Sequence, residues 1–239
     1  MINLPDNILT EIYIHIEQSL PREACGLLVS VQGKYKYFPC RNTAENNLDF
    51  ILDPNDWVKA EDAGSIMAVV HSHPFLSPQP TEADLVGCER SGLPWIIINW
   101  PNKTSSYLEP TGYKAPLEGR PYSYGTLDCV TILQDYYKEL LNIKIYVPQD
   151  RPESWWQNGG NLYLENTLNN GFYRVETPQL HDVLLMAMGN TKHPNHAAIW
   201  VGDNRILHHP RGKLSSINIY GGWYRKVTTH IFRHKDVKL

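Results

Sequence analysis

The sequence predicts two domains in tandem, a mixed-sheet α/β domain followed by an α+β domain. Three observations lead there. In the first half, apolar β-branched runs alternate with amphipathic stretches. A cluster of breaking residues (Pro110, Gly112, Pro116, Gly119 and Pro121) then interrupts the chain. Beyond it, one helical pattern is followed by a series of strand-like runs. The 239 residues suffice for one large domain or two of about 110–120 residues each, near the usual domain size. The expected division is residues 1–112 for the first domain, 113–118 for a linker and 119–239 for the second.

Leu9, Ile12, Tyr13, Ile16 and Leu20 recur at three- and four-residue steps, which predicts an amphipathic helix over 7–19 with Asp6 as its N-cap. Residues 25–30 and 34–38 read as short strands joined by a turn at Gly33. Asp53-Pro54 supplies an N-cap and a first-turn proline for a helix ending near Ala63. The β-branched run 66–71 predicts a buried strand, 81–90 a helix and 94–99 another buried strand. Past the breakers, 126–141 has a helical pattern. A stretch rich in Trp, Asn and Gly covers 155–171, and strands are expected at 183–188, 196–201, 205–208 and 227–232. No internal repeat and no glycine-rich nucleotide motif occurs.

A net charge of -3 excludes a general attraction to nucleic acid or anionic membrane. The longest apolar run, around Trp95-Ile96-Ile97-Ile98, is far too short to span a bilayer. The first residues carry no basic region and no long apolar core, so no secretory signal is expected. Synthesis in a cytoplasm follows, with any outside target reached by another route. Cys25, Cys40 and Cys88 show no paired spacing and read as small buried thiols, without a disulfide framework.

His71-Ser72-His73 ends a predicted strand. Residues two apart on a strand project from the same face, so both imidazoles can share one ion. Asp84, on the first turns of the following helix, adds a carboxylate. Three protein ligands leave a fourth zinc position for water, the arrangement of a catalytic site. Glu23, just before the strand at Cys25, is the candidate base. This pattern, with Thr81 three residues before Asp84 and Glu23 in the context Glu-Ala-Cys-Gly-Leu-Leu, resembles the JAB/MPN (JAMM) metallopeptidases over roughly residues 1–110. The resemblance implies zinc on His71, His73 and Asp84, Glu23 as general acid and base, and the hydroxyl at position 81 supporting the tetrahedral intermediate. Thr81 stands where the family usually has serine, and so adds a methyl group.

Asp128-Cys129 opens the helical pattern of the second half. A cysteine at a helix N-terminus faces the positive end of the dipole, which favours thiolate. His196 opens a strand and His208 follows twelve residues later, after the turn at residues 202–204. A strand, tight turn and return strand would set the two imidazoles side by side, with His208 orienting His196. His181, His193 and His209 are read as surface or loop residues. Trp155, Trp156, Tyr163 and Phe172 are read as sealing a small core, with a glycan-binding wall as the other use of such a cluster. The motifs Pro-Tyr122-Ser-Tyr-Gly, Asp-Cys129 and His196-Ala-Ala-Ile-Trp-Val-Gly resemble the NlpC-type peptidoglycan endopeptidases, which are papain-like α+β enzymes. That resemblance, from about Gly119 to the C-terminus, implies Cys129 as nucleophile, His196 as base, His208 as orienting residue and Tyr122 near the oxyanion. Two departures stand out: the segment between Gly125 and Asp128 is short, and Val130-Thr131 replaces the usual Ser-Gly.

The tandem itself resembles the tail-tip assembly proteins of lambda-like phages. That implies peptidoglycan stem peptides as substrate of the second domain and other tail-tip proteins as partners. Assembly would take place in the host cytoplasm, with a possible place in the virion tail and action at the cell wall. For the first domain the family implies isopeptide bonds of ubiquitin-like proteins, and a tail protein precursor is an equal candidate. Two other classes stay open: an assembly factor with vestigial sites, and a host-encoded cell-wall hydrolase.

Overall fold

A computed structural model describes residues 4–148, 151–189 and 191–238. The chain divides into two compact units, Met1–Lys114 and Ala115–Leu239.

In the first unit the elements run α1 (Asp6–Ser19), β1 (Cys25–Val31), β2 (Lys34–Cys40), α2 (Pro54–Ala63), β3 (Ser65–Pro74), α3 (Glu82–Ser91), β4 (Trp95–Trp100) and β5 (Ser105–Leu108). The sheet order is β2-β1-β3-β4-β5. Only β3 and β4 run parallel, as their connection through α3 requires, so the sheet is mixed. Ile8, Ile12 and Ile16 form the buried stripe of α1 and pack with Leu28, Ala68, Val70, Ile96 and Ile98 on one sheet face. Leu27, Val29, Val69 and Trp95 line the other face against Ala60 of α2 and Cys88 of α3. The two sets alternate along β1 and β3, so the strands are buried on both sides. Cys25, Cys40 and Cys88 are free buried thiols.

Pro5, not Asp6, occupies the N-cap of α1, and Asp6 lies in the first turn. Its charge still faces the positive helix end. Asp53 caps α2 by accepting from the Asn55 N–H, with Pro54 behind it. Strand β3 runs three residues beyond the expected end because β4 continues to pair with it, through His73 opposite Asn99 and Pro74 opposite Trp100. The histidines therefore sit inside a strand, with their spacing fixed by the pleat. β5 was not foreseen; it pairs with β4 through Leu108 and Tyr107.

The second unit contains α4 (Cys129–Leu141), α5 (Leu162–Asn169), β6 (Phe172–Val175), β7 (Val183–Met186), β8 (His196–Gly202), β9 (Arg205–His208), β10 (Ser216–Ile219), α6 (Gly222–Val227) and β11 (Thr228–His234). Its sheet is antiparallel, in the order β10-β9-β8-β7-β11-β6. Ile132, Leu133, Tyr136 and Tyr137 of α4 pack on Val183, Leu185, Ala197 and Ile199. Leu184, Met186, Ala198 and Ile206 face the opposite side and meet Tyr220. Trp155, Tyr163 and Phe172 are buried in the α4 core, so this part of the aromatic cluster seals the fold. Arg120 is fully buried and binds Asp135 at 2.6 Å, the Ala115 carbonyl at 2.9 Å and the Pro116 carbonyl, which anchors the start of the unit.

Gly87 on α3 leaves room for the Trp95 indole, where an added Cβ would lie 2.4 Å from Cη2. Gly87→Ala should destabilise the first unit by about 1–3 kcal/mol, read as a lower urea midpoint. An unchanged midpoint would contradict this packing.

Candidate active sites

In the first unit the pleat of β3 places His71 and His73 on one face, and the start of α3 brings Asp84 to them. The two Nε2 atoms are 3.2 Å apart. Asp84 Oδ1 is 3.2 Å from His71 Nε2, and Oδ2 is 3.4 Å from His73 Nε2. Ligands about 2.0–2.1 Å from a tetrahedral zinc lie about 3.3 Å from one another, so this donor set fits the ion. Among the described residues these three form the group able to hold a metal, and all three are buried.

Their supports are equally specific. The Ser77 carbonyl accepts from His73 Nδ1 at 2.8 Å, which fixes the proton there and turns Nε2 inward as a lone pair. Phe50 stacks on the His71 ring at 4.5 Å, and Trp95 meets it edge-on at 5.4 Å. Thr81 is the N-cap of α3 and forms a capping box with Asp84. Its backbone N–H and its hydroxyl both donate to Asp84 Oδ2 at 2.7 Å. Thr81 is thus engaged in aiming the carboxylate. Glu23 Oε1 lies 3.9 Å from His73 Nε2. The Ser72 hydroxyl accepts from the Ala24 N–H at 2.9 Å and ties the Glu23 end of β1 to β3. Burial, then the Asp84 and Asp49 carboxylates, push Glu23 up to about 9; a cation held by His71, His73 and Asp84 would act in the opposite sense and favour the carboxylate. Burial opposes ionisation of Asp84, yet the His71 and His73 hydrogen bonds hold it well below the usual carboxylate range.

In the second unit Cys129 is the first residue of α4. Asp128 caps the helix: its Oδ1 accepts from Val130 N at 2.9 Å and Thr131 N at 3.0 Å, and the Thr131 hydroxyl accepts from Asp128 N. Asp128 Oδ2 accepts from Gly125 N at 2.9 Å and from Arg151 at 2.7 Å. Cys129, His196, Tyr122, Tyr163, His209 and Asn195 are among the residues lining one cavity of about 240 Å³. His196 Nε2 is 3.0 Å from His208 Nδ1, so its Nδ1 is the nitrogen left for the thiol. His208 Nε2 in turn lies 2.8 Å from the Asn218 side-chain amide and 3.4 Å from the Tyr224 hydroxyl. With the amide oxygen turned to accept from that Nε2, His208 Nδ1 accepts from His196 Nε2 and His196 Nδ1 keeps its lone pair.

One expectation holds only in part. His209 lies in the loop after β9, but it is fully buried and not at the surface. Its ring meets Tyr122 edge-on at 5.5 Å, and its Nε2 donates to the Lys213 carbonyl at 3.1 Å. Strand β9 ends at His208, so alternation no longer governs the next side chain. Hydrogen bonds between Arg120 and Ser215 pull that segment inward. His181 and His193 are half-buried and lie outside the strands. Arg151, Asn218 and Tyr224 carried no motif that singled them out.

The helix dipole does not prevail at the thiol. Burial, then the Asp128 carboxylate, push Cys129 up to about 11. Burial, then His208, lower His196 to about 3, and burial, then His209, lower His208 to about 4. The resting pair is therefore a neutral thiol and a neutral imidazole.

That state has a consequence for stability. An unfolded histidine protonates near about 6.5. Between that pH and about 4 the unfolded chain thus binds more protons than the folded one, and stability rises with pH and is lost as pH falls. Urea midpoints measured from pH 4.5 to 7 should show this slope in the wild type and a shallower one in His196→Asn/His208→Asn. Parallel slopes would contradict it.

Residues 5–108 match the model for prokaryotic homologs of the JAB domain, and residues 119–233 match the NlpC/P60 family. Tail tip assembly protein K of Escherichia phage N15 is 37% identical over 232 residues, covering 95% of this chain and 94% of the relative. The protein of the same name from Escherichia phage lambda is 37% identical over 187 residues, 77% of this chain and 89% of the relative. A desampylase from Pyrococcus furiosus is 29% identical over 102 residues, 40% of this chain and 72% of the relative. The chain belongs to the tail tip assembly protein K family, and carries a JAB domain followed by an NlpC/P60 domain.

Proposed function

We propose that the second unit is a cysteine peptidase that cuts stem peptides of the bacterial cell wall, and that the first is a zinc-dependent peptidase or isopeptidase. The observation that carries the first half is one cavity shared by a helix-start thiol and an imidazole, with His208 against the far nitrogen of that imidazole. His196 Nδ1 would take the thiol proton as Cys129 Sγ attacks the scissile carbonyl, and return it to the leaving amine. Water then releases the acyl group from Cys129. Tyr122, on the wall of the same cavity, would face the oxyanion. The NlpC/P60 match supports peptidoglycan as substrate, and kinship with tail tip proteins supports other tail proteins as partners. The protein would be made in the host cytoplasm, associate with the tail and act at the cell wall.

For the first unit, the converging His71, His73 and Asp84 support zinc. Bound there, zinc would supply the Lewis acidity that makes water nucleophilic near neutral pH. His71, His73 and Asp84 would hold it, Thr81 would keep the Asp84 carboxylate aimed, and Glu23 would take and return the proton. The JAB match and the desampylase relative support a protein substrate for this site.

Two measurements test these roles. Purified peptidoglycan digested with the chain should release stem-peptide fragments identifiable by mass spectrometry, and Cys129→Ala should release none. Equal release by Cys129→Ala would overturn the assignment. Elemental analysis should find one zinc per chain, lost in His71→Ala and Asp84→Ala but retained in Glu23→Gln. Full occupancy in His71→Ala/His73→Ala would reject the site.

A further inference from the structure

We propose that Tyr163 is a further catalytic residue of the thiol site, donating its hydroxyl hydrogen to Cys129 Sγ, with Arg151 acting through it as a positioning residue. The inference rests on the proposal that Cys129 is the nucleophile. Among the described residues, the side-chain partner of the sulfur is the Tyr163 hydroxyl, at 3.6 Å. Tyr163 comes from α5, outside every motif that drew attention to the site, and it lines the same cavity as Cys129 and His196.

The direction of that hydrogen bond follows from Arg151. Its Nη1 donates to the Tyr163 oxygen at 3.3 Å, which occupies a lone pair and leaves the phenol hydrogen free to point at sulfur. Arg151 is itself buried and held by Asp128 at 2.7 Å, and its guanidinium lies 5.1 Å over the Tyr124 ring. Asp128 is the residue before Cys129 and the cap of its helix. Cys129, Tyr163, Arg151 and Asp128 thus close a ring of contacts around the nucleophile. The Tyr163 ring is fixed against Trp155 at 4.7 Å, so the hydroxyl is held in place by packing.

Such a donor has work to do in this cavity. Burial and Asp128 both disfavour the thiolate, and a hydrogen bond to the charged form acts in the opposite sense. As the thiol proton passes to His196, negative charge gathers on a sulfur 3.6 Å from the Tyr163 oxygen, whose hydrogen is already polarised by a guanidinium. The O–H is not consumed; it donates to sulfur before and after the transfer.

The test is Tyr163→Phe in the full chain, which keeps the ring and removes only the hydroxyl. The rate of Cys129 alkylation by iodoacetamide is followed against pH by mass spectrometry of the Cys129 peptide. Asp128, Tyr122, Tyr124, His196, His209 and Arg211 line the same cavity, Arg151 meets Tyr163 behind it, and the substitution changes none of these residues. The alkylation profile should move up by about one pH unit, with labelling about tenfold slower below it. Cleavage of murein should fall about ten- to hundredfold in kcat, with KM little changed. An unmoved alkylation profile overturns the proposal, whether cleavage falls or not, since loss of cleavage alone is what a packing role would give. Alkylation needs no peptidoglycan, so it decides this point even if the wild type fails to cut murein.

Discussion

A helix must satisfy its first backbone N–H groups, and in both units the side chains that do so also build the site. In the first unit Thr81 caps α3, and the residue that completes the capping box is Asp84, the carboxylate facing both histidines. In the second, Asp128 caps α4 and so fixes Cys129 as the first helical residue. Removing either cap would do more than fray a helix. It would release Asp84 or Cys129, the proposed ligand and the proposed nucleophile that the caps position. The opposite wall is each time a strand: β3 supplies His71 and His73, and β8 supplies His196.

The two sites use burial differently. Around His71, His73 and Asp84, hydrogen bonds and opposite charges offset desolvation and hold Asp84 low, while burial and that carboxylate push Glu23 up. Around Cys129, desolvation exceeds the helix dipole and the site rests neutral. A neutral pair in a small cavity attacks only as a proton moves, which gives His208, Asn218 and the Arg151–Tyr163 pair their significance. His208 touches His196 and Tyr163 touches Cys129, the two groups whose charge would change during that movement, while Asn218 contacts His208 and Arg151 contacts Tyr163.

Much of this was legible in the sequence wherever a pattern is local. The two-residue spacing of His71 and His73 needs only a pleat, and the twelve residues from His196 to His208 need only a hairpin. The β8–β9 register sets Ala198 opposite His208 and leaves the two imidazoles 3.0 Å apart. What the sequence concealed depends on contacts between distant residues. Arg151 finds Asp128 twenty-three positions earlier and sits in a stretch with no periodicity. The helix Leu162–Asn169 is short and flanked by Asn and Gly, and β5, β6 and β10 have four residues each, too few for alternation to show. His209 was misread because the strand alternation that places His208 correctly stops there.

The residues of each site lie within one unit, so the two proposed chemistries should be silenced separately. The direct measurement is murein cleavage by the intact chain after treatment with a metal chelator and, in parallel, with a thiol alkylator. Circular dichroism would verify that the fold survives each treatment. Chelation removes what His71, His73 and Asp84 would hold, while alkylation blocks the proposed nucleophile. All four cysteines are buried, but Cys129 lines the cavity of about 240 Å³, and labelling is read at its peptide by mass spectrometry. Cleavage should persist after chelation and vanish after alkylation. Loss of murein cleavage in a chelated, still-folded chain would show that the metal serves the cell-wall reaction, and would contradict the claim of two independent sites.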